Sequence, residues 1–142
     1  MRRILIAAMM VAAIGAHAQQ SHGDWFSASD TDDMTDETTQ LAFTQAVDTD
    51  DAVLFAVVDG DVMIQAANII RHDSDVIIRV DDNAAQEYRA SVARNSAMPL
   101  NYDINELRGA ERILVRFTTV PGTRTYEFSG DGIDEAFKAH GW

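Results

Sequence analysis

The chain has 142 residues, of which 46% are apolar, and this is enough for one domain with a modest core. It carries 11 Lys and Arg against 23 Asp and Glu, and the formal net charge of -12 argues against binding to nucleic acid or to an anionic membrane surface. The absence of cysteine excludes thiol catalysis, disulfides and Cys-based zinc sites, and it also excludes a lipid attached to an N-terminal Cys.

The first 18 residues have the three parts of a secretory signal peptide. Two arginines follow the initiator methionine, an apolar run occupies 4–14, and a small-x-small cleavage pattern ends at Ala18. We therefore expect cleavage after Ala18 and a periplasmic or secreted location. The alternative is an uncleaved anchor, but the run is shorter than the roughly 20 apolar residues that span a bilayer. Cleavage would leave nine basic and 23 acidic residues, a charge of -14, on a single globular domain at 19–142.

Apolar and polar residues alternate with a period of two from residue 25 to about residue 128. This pattern predicts a mainly β (α+β) domain, either an antiparallel β-sandwich or a bent meander sheet, with about seven or eight strands. The apolar members of the alternating segments are Leu41, Phe43, Val53, Phe55, Val57, Val62, Ile64, Ala66, Val76, Ile78, Val80, Tyr88, Ala90, Val92, Ile113, Val115, Phe117, Tyr126 and Phe128.

An Asp-Gly pair at 59–60 separates two of these apolar segments. Such a pair is the strongest short hairpin signal, because both central residues of a type I′ turn need positive φ. The turn predicts that Val57 faces Val62 and that Phe55 faces Ile64.

A Pro-Gly pair at 121–122 predicts a second hairpin. Proline at the first turn position has a negative φ, which suits a type I or II turn and favours some bulging of the strands. With the simplest register, Phe117 faces Tyr126 and Val115 faces Phe128, and the aromatic residues belong to the core.

Two segments are expected to be helical. A short helix near 103–109 begins at Asp103 as N-cap and ends at Gly109, the position favoured for a C-cap. A terminal amphipathic helix near 132–140 follows from apolar residues spaced three and four apart. Its buried face would carry Ile133, Ala136, Phe137 and His140.

Acidic residues are concentrated between 30 and 51, and the first four could supply oxygen ligands to Ca²⁺. The EF-hand pattern fails, however, because Thr35 stands where the loop needs glycine and Leu41 stands where it needs a bidentate Glu. A solvated hairpin is the favoured interpretation, and calcium binding is the alternative. The calcium candidates are Asp30, Asp32, Asp33 and Asp36.

No catalytic motif is present in the sequence. The histidines after the leader, His22, His72 and His140, lack the spacing of a helical metal pair, and no nucleophile elbow or phosphate-binding loop occurs. His72 beside Asp73 is the remaining candidate for a general base or ligand. We therefore predict no catalytic residue, no cofactor and a protein that is not an enzyme.

Four residues are candidates for contact with a ligand or partner. Arg79 and Asp81 occupy alternate strand positions and so share a face, and Arg112 and Arg116 share a face in a later strand. An arginine face on an acidic protein could receive a carboxylate or phosphate. The alternative is cross-strand ion pairing, Arg116 with Asp81 or Arg79 with Glu127.

Several short motifs are distributed over almost the whole of 19–142. They are Trp25 followed by Asp33-Met34-Thr35-Asp36, the Asp59-Gly60 turn, Ile78-Arg79-Val80-Asp81, the segment 110–118, Phe128-Ser129-Gly130, Ile133-Asp134-Glu135-Ala136 and the closing Trp142. In order and spacing they resemble the TagO or VasI group, a family of small exported bacterial proteins associated with type VI secretion. The resemblance implies a periplasmic accessory protein without established catalysis.

Members of that family usually carry one cysteine just before the Asp-Gly turn and another just before the final tryptophan. The corresponding positions are near Val57 and Gly141, and neither holds a cysteine here. In the family the two cysteines look paired. This chain also has two extra residues between Gly130 and Ile133, so it resembles a divergent member.

Two functional hypotheses follow. The first is a non-enzymatic periplasmic accessory protein that binds an envelope or periplasmic protein, without nucleic acid and without a membrane anchor after cleavage. The second is an acidic secreted inhibitor or binder of a cationic hydrolase or peptide, because a strong negative charge steers a protein to cationic partners. A calcium-binding module and a cell-wall enzyme are the less favoured alternatives.

Overall fold

The computed structural model describes residues 19–142, so the expected signal peptide at 1–18 lies outside the described residues. The described part forms two antiparallel sheets, and the prediction of a mainly β domain is confirmed. The strands are β1 (Gln20–His22), β2 (Trp25–Thr31), β3 (Thr38–Gln45), β4 (Val53–Val58), β5 (Asp61–Ala66), β6 (Val76–Val80), β7 (Gln86–Tyr88), β8 (Ala90–Ala93), β9 (Ser96–Pro99), β10 (Arg112–Thr118) and β11 (Thr123–Ser129).

One sheet has seven strands in the order β1-β2-β3-β4-β5-β9-β8, and the other has four in the order β11-β10-β6-β7. The two sheets enclose the main core, in which Trp25, Phe55 and Phe128 are fully buried. Phe55 lies with its ring centroid 6.0 Å from that of Trp25 and 5.5 Å from that of Phe128. The architecture is consistent with the predicted β-sandwich.

Eleven strands are present among the described residues, more than the seven or eight expected. Part of the difference arises where one alternating segment serves both sheets. Gln86–Tyr88 pairs with β6 in the four-stranded sheet, whereas Ala90–Ala93 pairs with β9 in the seven-stranded sheet. Arg89 therefore marks a corner between the sheets, and the alternation of apolar residues does not reveal such a crossing.

The Asp-Gly hairpin has the predicted register. Val57 faces Val62 and Phe55 faces Ile64, as the two-residue turn requires. Asp59 has φ of 50° and Gly60 has φ of 88°, so both central residues are in the left-handed region.

The predicted register of the second hairpin is wrong by two residues. Phe117 faces Arg124, Val115 faces Tyr126, and Phe128 faces a different residue of β10, Ile113. A shift of two residues keeps every side chain on the same face of the sheet, so the apolar pattern cannot distinguish the two registers. The rings of Phe117 and Tyr126 still stack diagonally, with centroids 5.4 Å apart.

The turn of this hairpin explains the shift. Thr119 and Gly122 exchange backbone hydrogen bonds of 2.9 and 3.1 Å. Val120 and Pro121 are therefore the central turn residues, one position earlier than the expected Pro-Gly pair.

Both predicted helical segments are present. Ile104–Leu107 forms a 3-10 helix, and the Asp103 carboxylate accepts a hydrogen bond from the backbone N–H of Asn105. The terminal helix α1 (Ile133–Lys138) buries Ile133, Ala136 and Phe137 as expected, and Phe137 packs against Trp25 with centroids 6.1 Å apart. His140, expected on the same helical face, lies in the turn after the helix and is only half-buried. Neither helical segment in 19–142 is long and apolar enough to cross a membrane.

The central strands β3 and β4 are buried on both faces. Leu41 and Phe43 lie on the face opposite to Phe55, where they form a second apolar cluster with Leu54 and Ala56. The alternation assigned Leu41 and Phe43 to a buried face, and they are buried, but not in the core between the two sheets.

Candidate protein-binding site

The outer face of the four-stranded sheet carries the predicted arginines. Arg79 on β6 and Arg112 and Arg116 on β10 are exposed, and the half-buried side chains of Ile77 and Leu114 lie among them. We call these five residues the arginine face.

The alternation of β6 and β10 produces this face. Ile78 and Val115 point into the core, so their neighbours along each strand point to solvent. The register places Arg79 opposite Leu114 and Arg116 opposite Ile77. Each of these arginines therefore lies beside an apolar side chain that the methylene stem of the arginine can cover.

The arginines make different contacts. The Nε atom of Arg112 lies 2.6 Å from a carboxylate oxygen of Glu127, and Arg116 donates from Nε to the Thr125 hydroxyl at 2.7 Å. Arg79 donates from Nε to the backbone carbonyl of Asn83 at 2.9 Å. Arg79 and Arg116 form no ion pair with a carboxylate in the described part of the chain, so their charges remain available to a partner.

Asp81 does not share a strand face with Arg79, contrary to the prediction. Strand β6 ends at Val80, and Asp81 follows with φ of 52°. Its carboxylate accepts hydrogen bonds of 2.9 Å from the backbone N–H groups of Glu111 and Arg112. Asp81 therefore holds the start of β10, because the strand alternation that should have placed it beside Arg79 ends one residue earlier.

The ion pairs predicted as the alternative are also absent among the described residues. Glu127 pairs with Arg112 and not with Arg79, and Arg116 contacts Thr125 and not Asp81. Strand β10 lies between β6 and β11, so Arg79 and Glu127 face Leu114 from opposite sides, whereas Arg112 is diagonal to Glu127.

A pair of carboxylates that the sequence did not indicate borders the arginine face. A hydrogen bond with Asp75 and the negative charge of Asp75 raise the pKa of the fully exposed Glu87 above its ordinary value of 4.5. The pair lies in an open cleft of about 430 Å³. The cleft is lined by Arg71, Asp73, Ser74, Asp75, Ile77, Glu87, Arg116, Phe117, Thr118 and Thr123.

A second cluster that the sequence did not indicate lies at the edge of β11. The Asp51 carboxylate accepts hydrogen bonds from Arg124 at 2.8 Å and from the Tyr126 hydroxyl at 2.9 Å. Burial and the hydrogen bond to Asp51 raise the pKa of Tyr126 to about 12. Asp51 and Arg124 are 73 residues apart, so no local spacing could reveal their contact.

The acidic loop between β2 and β3 does not assemble a metal site. The Asp32 carboxylate accepts hydrogen bonds from the backbone N–H groups of Met34 at 2.7 Å and Thr35 at 3.3 Å. Within 19–142, no three His, Cys, Asp or Glu side chains come close enough together to hold a metal ion. The calcium candidates Asp30, Asp32, Asp33 and Asp36 therefore do not converge on one point.

The three histidines within 19–142 do not form a catalytic group with one another. His22 is bonded to the Ser27 hydroxyl at 2.8 Å, and His140 contacts the backbone carbonyl of Leu41 at 2.9 Å. His72 is exposed in a turn, next to an ion pair of 3.3 Å between Arg71 and Asp73.

The arginine face thus combines cationic groups with apolar side chains on a regular sheet surface. Such a surface can bind carboxylates by charge-assisted hydrogen bonds and can bury apolar area beside them. No protein-family model matches the chain, and no curated protein or solved structure matches it either.

Proposed function

We propose that this protein is an exported, non-enzymatic binding protein that contacts another envelope protein through the arginine face. The observation that carries the proposal is the position of Arg79, Arg112 and Arg116 on one outer sheet face of a chain whose net charge is -12. The proposed partner presents an acidic surface.

The composition of the face supports a protein partner. Arginine is enriched among the residues that contribute most of the binding energy at protein interfaces. Its contribution is largest beside apolar groups that exclude water. Leu114 and Ile77 supply such groups between the arginines. The chain carries a net charge of -12, which repels an acidic partner in orientations that do not present the arginine face.

The leader sequence and the resemblance to type VI secretion-associated proteins support the cellular setting. A signal peptide at 1–18 would deliver the domain to the periplasm or outside the cell. An accessory role in the envelope is the role that the resemblance suggests.

The test uses a photo-crosslinking amino acid in place of Leu114 in intact cells. A matched control carries the same amino acid in place of Asp61, which is exposed on β5 of the other sheet. We expect one specific adduct from position 114, and we expect the double variant Arg79→Gln, Arg116→Gln to reduce it several-fold. An adduct that is equally strong from position 61, or that persists without the two arginines, would contradict the proposal.

A second candidate function rests on the loop between β2 and β3. Met34 is 92% exposed, and Asp32, Asp33, Asp36 and Glu37 surround it in the sequence. An apolar tip within an acidic loop could insert into the cleft of a cationic hydrolase. This function predicts inhibition that weakens steeply with salt and is lost in Met34→Ala, but is unchanged in Arg79→Gln.

A further inference from the structure

The free edge of β11 is closed along only half of its length. At the C-terminal half, the carbonyl oxygen of Ser129 accepts the indole N–H of Trp25 at 2.7 Å. The carbonyl oxygen of Glu127 accepts the backbone N–H of Val47 at 2.8 Å. The chain then turns at Asp48, which has φ of 53°, and this single bridge is not extended into a strand.

The other half of the edge is open. Thr119 and Gly122 exchange two hydrogen bonds at the turn, so in β11 Arg124 and Tyr126 direct their backbone groups to β10. The backbone groups of Thr123 and Thr125 therefore face away from β10. No described residue donates to these carbonyls or accepts from these N–H groups on that side.

An open cleft of about 410 Å³ lies beside this edge. It is bounded on one side by β11 and on the other by the segment that leads from Val47 to Asp51. The cleft leaves room for an extended chain next to Thr125, where its backbone could continue the ladder that Val47 begins.

The charges beside the edge indicate the chemistry of the added chain. The guanidinium of Arg116 lies over Thr125, because its Nε donates to the Thr125 hydroxyl at 2.7 Å. A carboxylate on the residue that faces Thr125 would meet this guanidinium. The cleft itself is acidic, because Asp48 and Glu127 also line it and Asp51 is already paired with Arg124. The other side chains of the added chain should therefore be uncharged.

We propose that the open edge of β11 at Thr123 and Thr125 accepts an extended segment of an acidic envelope protein as a fifth strand of the four-stranded sheet. The segment carries one carboxylate, on the residue that faces Thr125, and this carboxylate binds Arg116. Its other side chains are uncharged. That the segment belongs to an acidic partner protein rests on the function proposed above. Main-chain pairing supplies the affinity, and the contact of the single carboxylate with Arg116 supplies the selectivity.

The test follows backbone amide signals by NMR during titration with a capped synthetic peptide that carries one glutamate among valine and threonine residues. We expect saturable shifts at Thr123 and Thr125, and roughly ten-fold weaker binding of the matched peptide in which lysine replaces glutamate. Arg116→Gln should remove most of this difference between the peptides.

Two substitutions at one position separate backbone pairing from side-chain contact. Thr125→Pro removes the outward N–H, and an edge strand tolerates proline where that group faces solvent, so we expect binding to fall by roughly ten-fold or more. Thr125→Val lacks the hydroxyl that bonds Arg116, as Thr125→Pro does, but it keeps the N–H, so its binding should stay at least about five-fold tighter than that of Thr125→Pro. If Thr125→Pro does not fold, a peptide methylated at its backbone nitrogens tests the same pairing with the unaltered protein.

Three results would overturn the inference. The first is equal binding to Thr125→Pro and Thr125→Val, the second is shifts that avoid Thr123 and Thr125, and the third is sedimentation that shows pairing of two copies at this edge. If the peptide binds as expected but the crosslink from position 114 is unchanged in the Arg79→Gln, Arg116→Gln variant, the edge-strand inference is supported and the proposed role of the arginine face is contradicted. Loss of crosslinks in the arginine variant without peptide binding at the edge would do the reverse.

Discussion

The indole N–H of Trp25 donates to the backbone carbonyl of Ser129 at 2.7 Å across 104 residues of sequence. Trp25 begins β2 in the seven-stranded sheet and Ser129 ends β11 in the four-stranded sheet, so this bond joins the two layers directly. The same ring contacts Phe55 and Phe137 edge to face, with centroids about 6 Å apart. Trp25 therefore connects both sheets and the terminal helix.

Trp25→Phe should destabilise the protein by about 2–4 kcal/mol, because it leaves the Ser129 carbonyl without its donor and a void beside Phe137. The measurement is the free energy of unfolding in guanidinium chloride. Trp142→Phe is the matched control, since Trp142 is only half-buried and should cost about 1 kcal/mol or less. Equal losses from the two variants would show that Trp25 has no special role in joining the sheets.

Gly132→Ala should be among the most damaging single substitutions. Gly132 has φ of 91°, and a Cβ there would lie 1.5 Å from the carbonyl oxygen of His22. We expect a loss of at least about 3 kcal/mol from strain and backbone displacement. Gly60→Ala is the control, because Gly60 has a similar φ of 88° but no atom within 4 Å of the added carbon, and it should cost about 1–2 kcal/mol. A loss for Gly132→Ala as small as that for Gly60→Ala would contradict the close approach.

The predictable part of the fold is the part that local chemistry determines. The Asp59-Gly60 turn determined the register of its hairpin, because few residue pairs adopt two positive φ angles. The hairpin at Pro121 was predicted two residues out of register, since a two-residue shift leaves the inward and outward faces unchanged. The corner at Arg89 was missed for a related reason, because a strand that passes from one sheet to the other keeps its alternation.

The candidate site was predictable to the same degree. Alternation with buried residues placed Arg79 on the outer face of one strand and Arg112 and Arg116 on the outer face of a later strand. That these two strands are neighbours in one sheet could not be read from the sequence. Contacts between residues of different segments could not be predicted, because they depend on the order of the strands. Arg124 with Asp51 is one example, and it requires the order of strands to be known.

Glu87→Gln should stabilise the protein at neutral pH and have little effect in acid. The pKa of Glu87 is raised above 4.5 by the neighbouring Asp75, so the fold favours the protonated form. The stability from that proton is present below the unfolded pKa and is lost as the pH rises through the folded pKa, which leaves two repelling carboxylates at neutral pH.

Melting temperatures of Glu87→Gln and the unaltered protein at about pH 7 and about pH 3.5 measure this effect. Glu111→Gln, at an exposed carboxylate before β10, is the control for the general gain from reducing a large negative charge. We expect the gain from Glu87→Gln to exceed that of the control at the higher pH only. The same gain at both pH values would exclude repulsion from Asp75 as its cause.

Tyr126 should ionise only at high pH, and the neighbouring carboxylate of Asp51 should contribute to its raised pKa. Burial and the Asp51 hydrogen bond raise the pKa of Tyr126 from 10.0 to about 12, so the stability from its phenolic proton is present below pH 10 and is lost as the pH rises through about 12. In a phenolate absorbance titration, Tyr126→Phe should remove the component near pH 12. Asp51→Asn should move that component to lower pH, because it removes the negative charge, whereas Asp48→Asn should not, because Asp48 lines the same cleft without bonding the hydroxyl. If the Tyr126 component of the titration does not move in Asp51→Asn, burial alone raises the pKa of Tyr126.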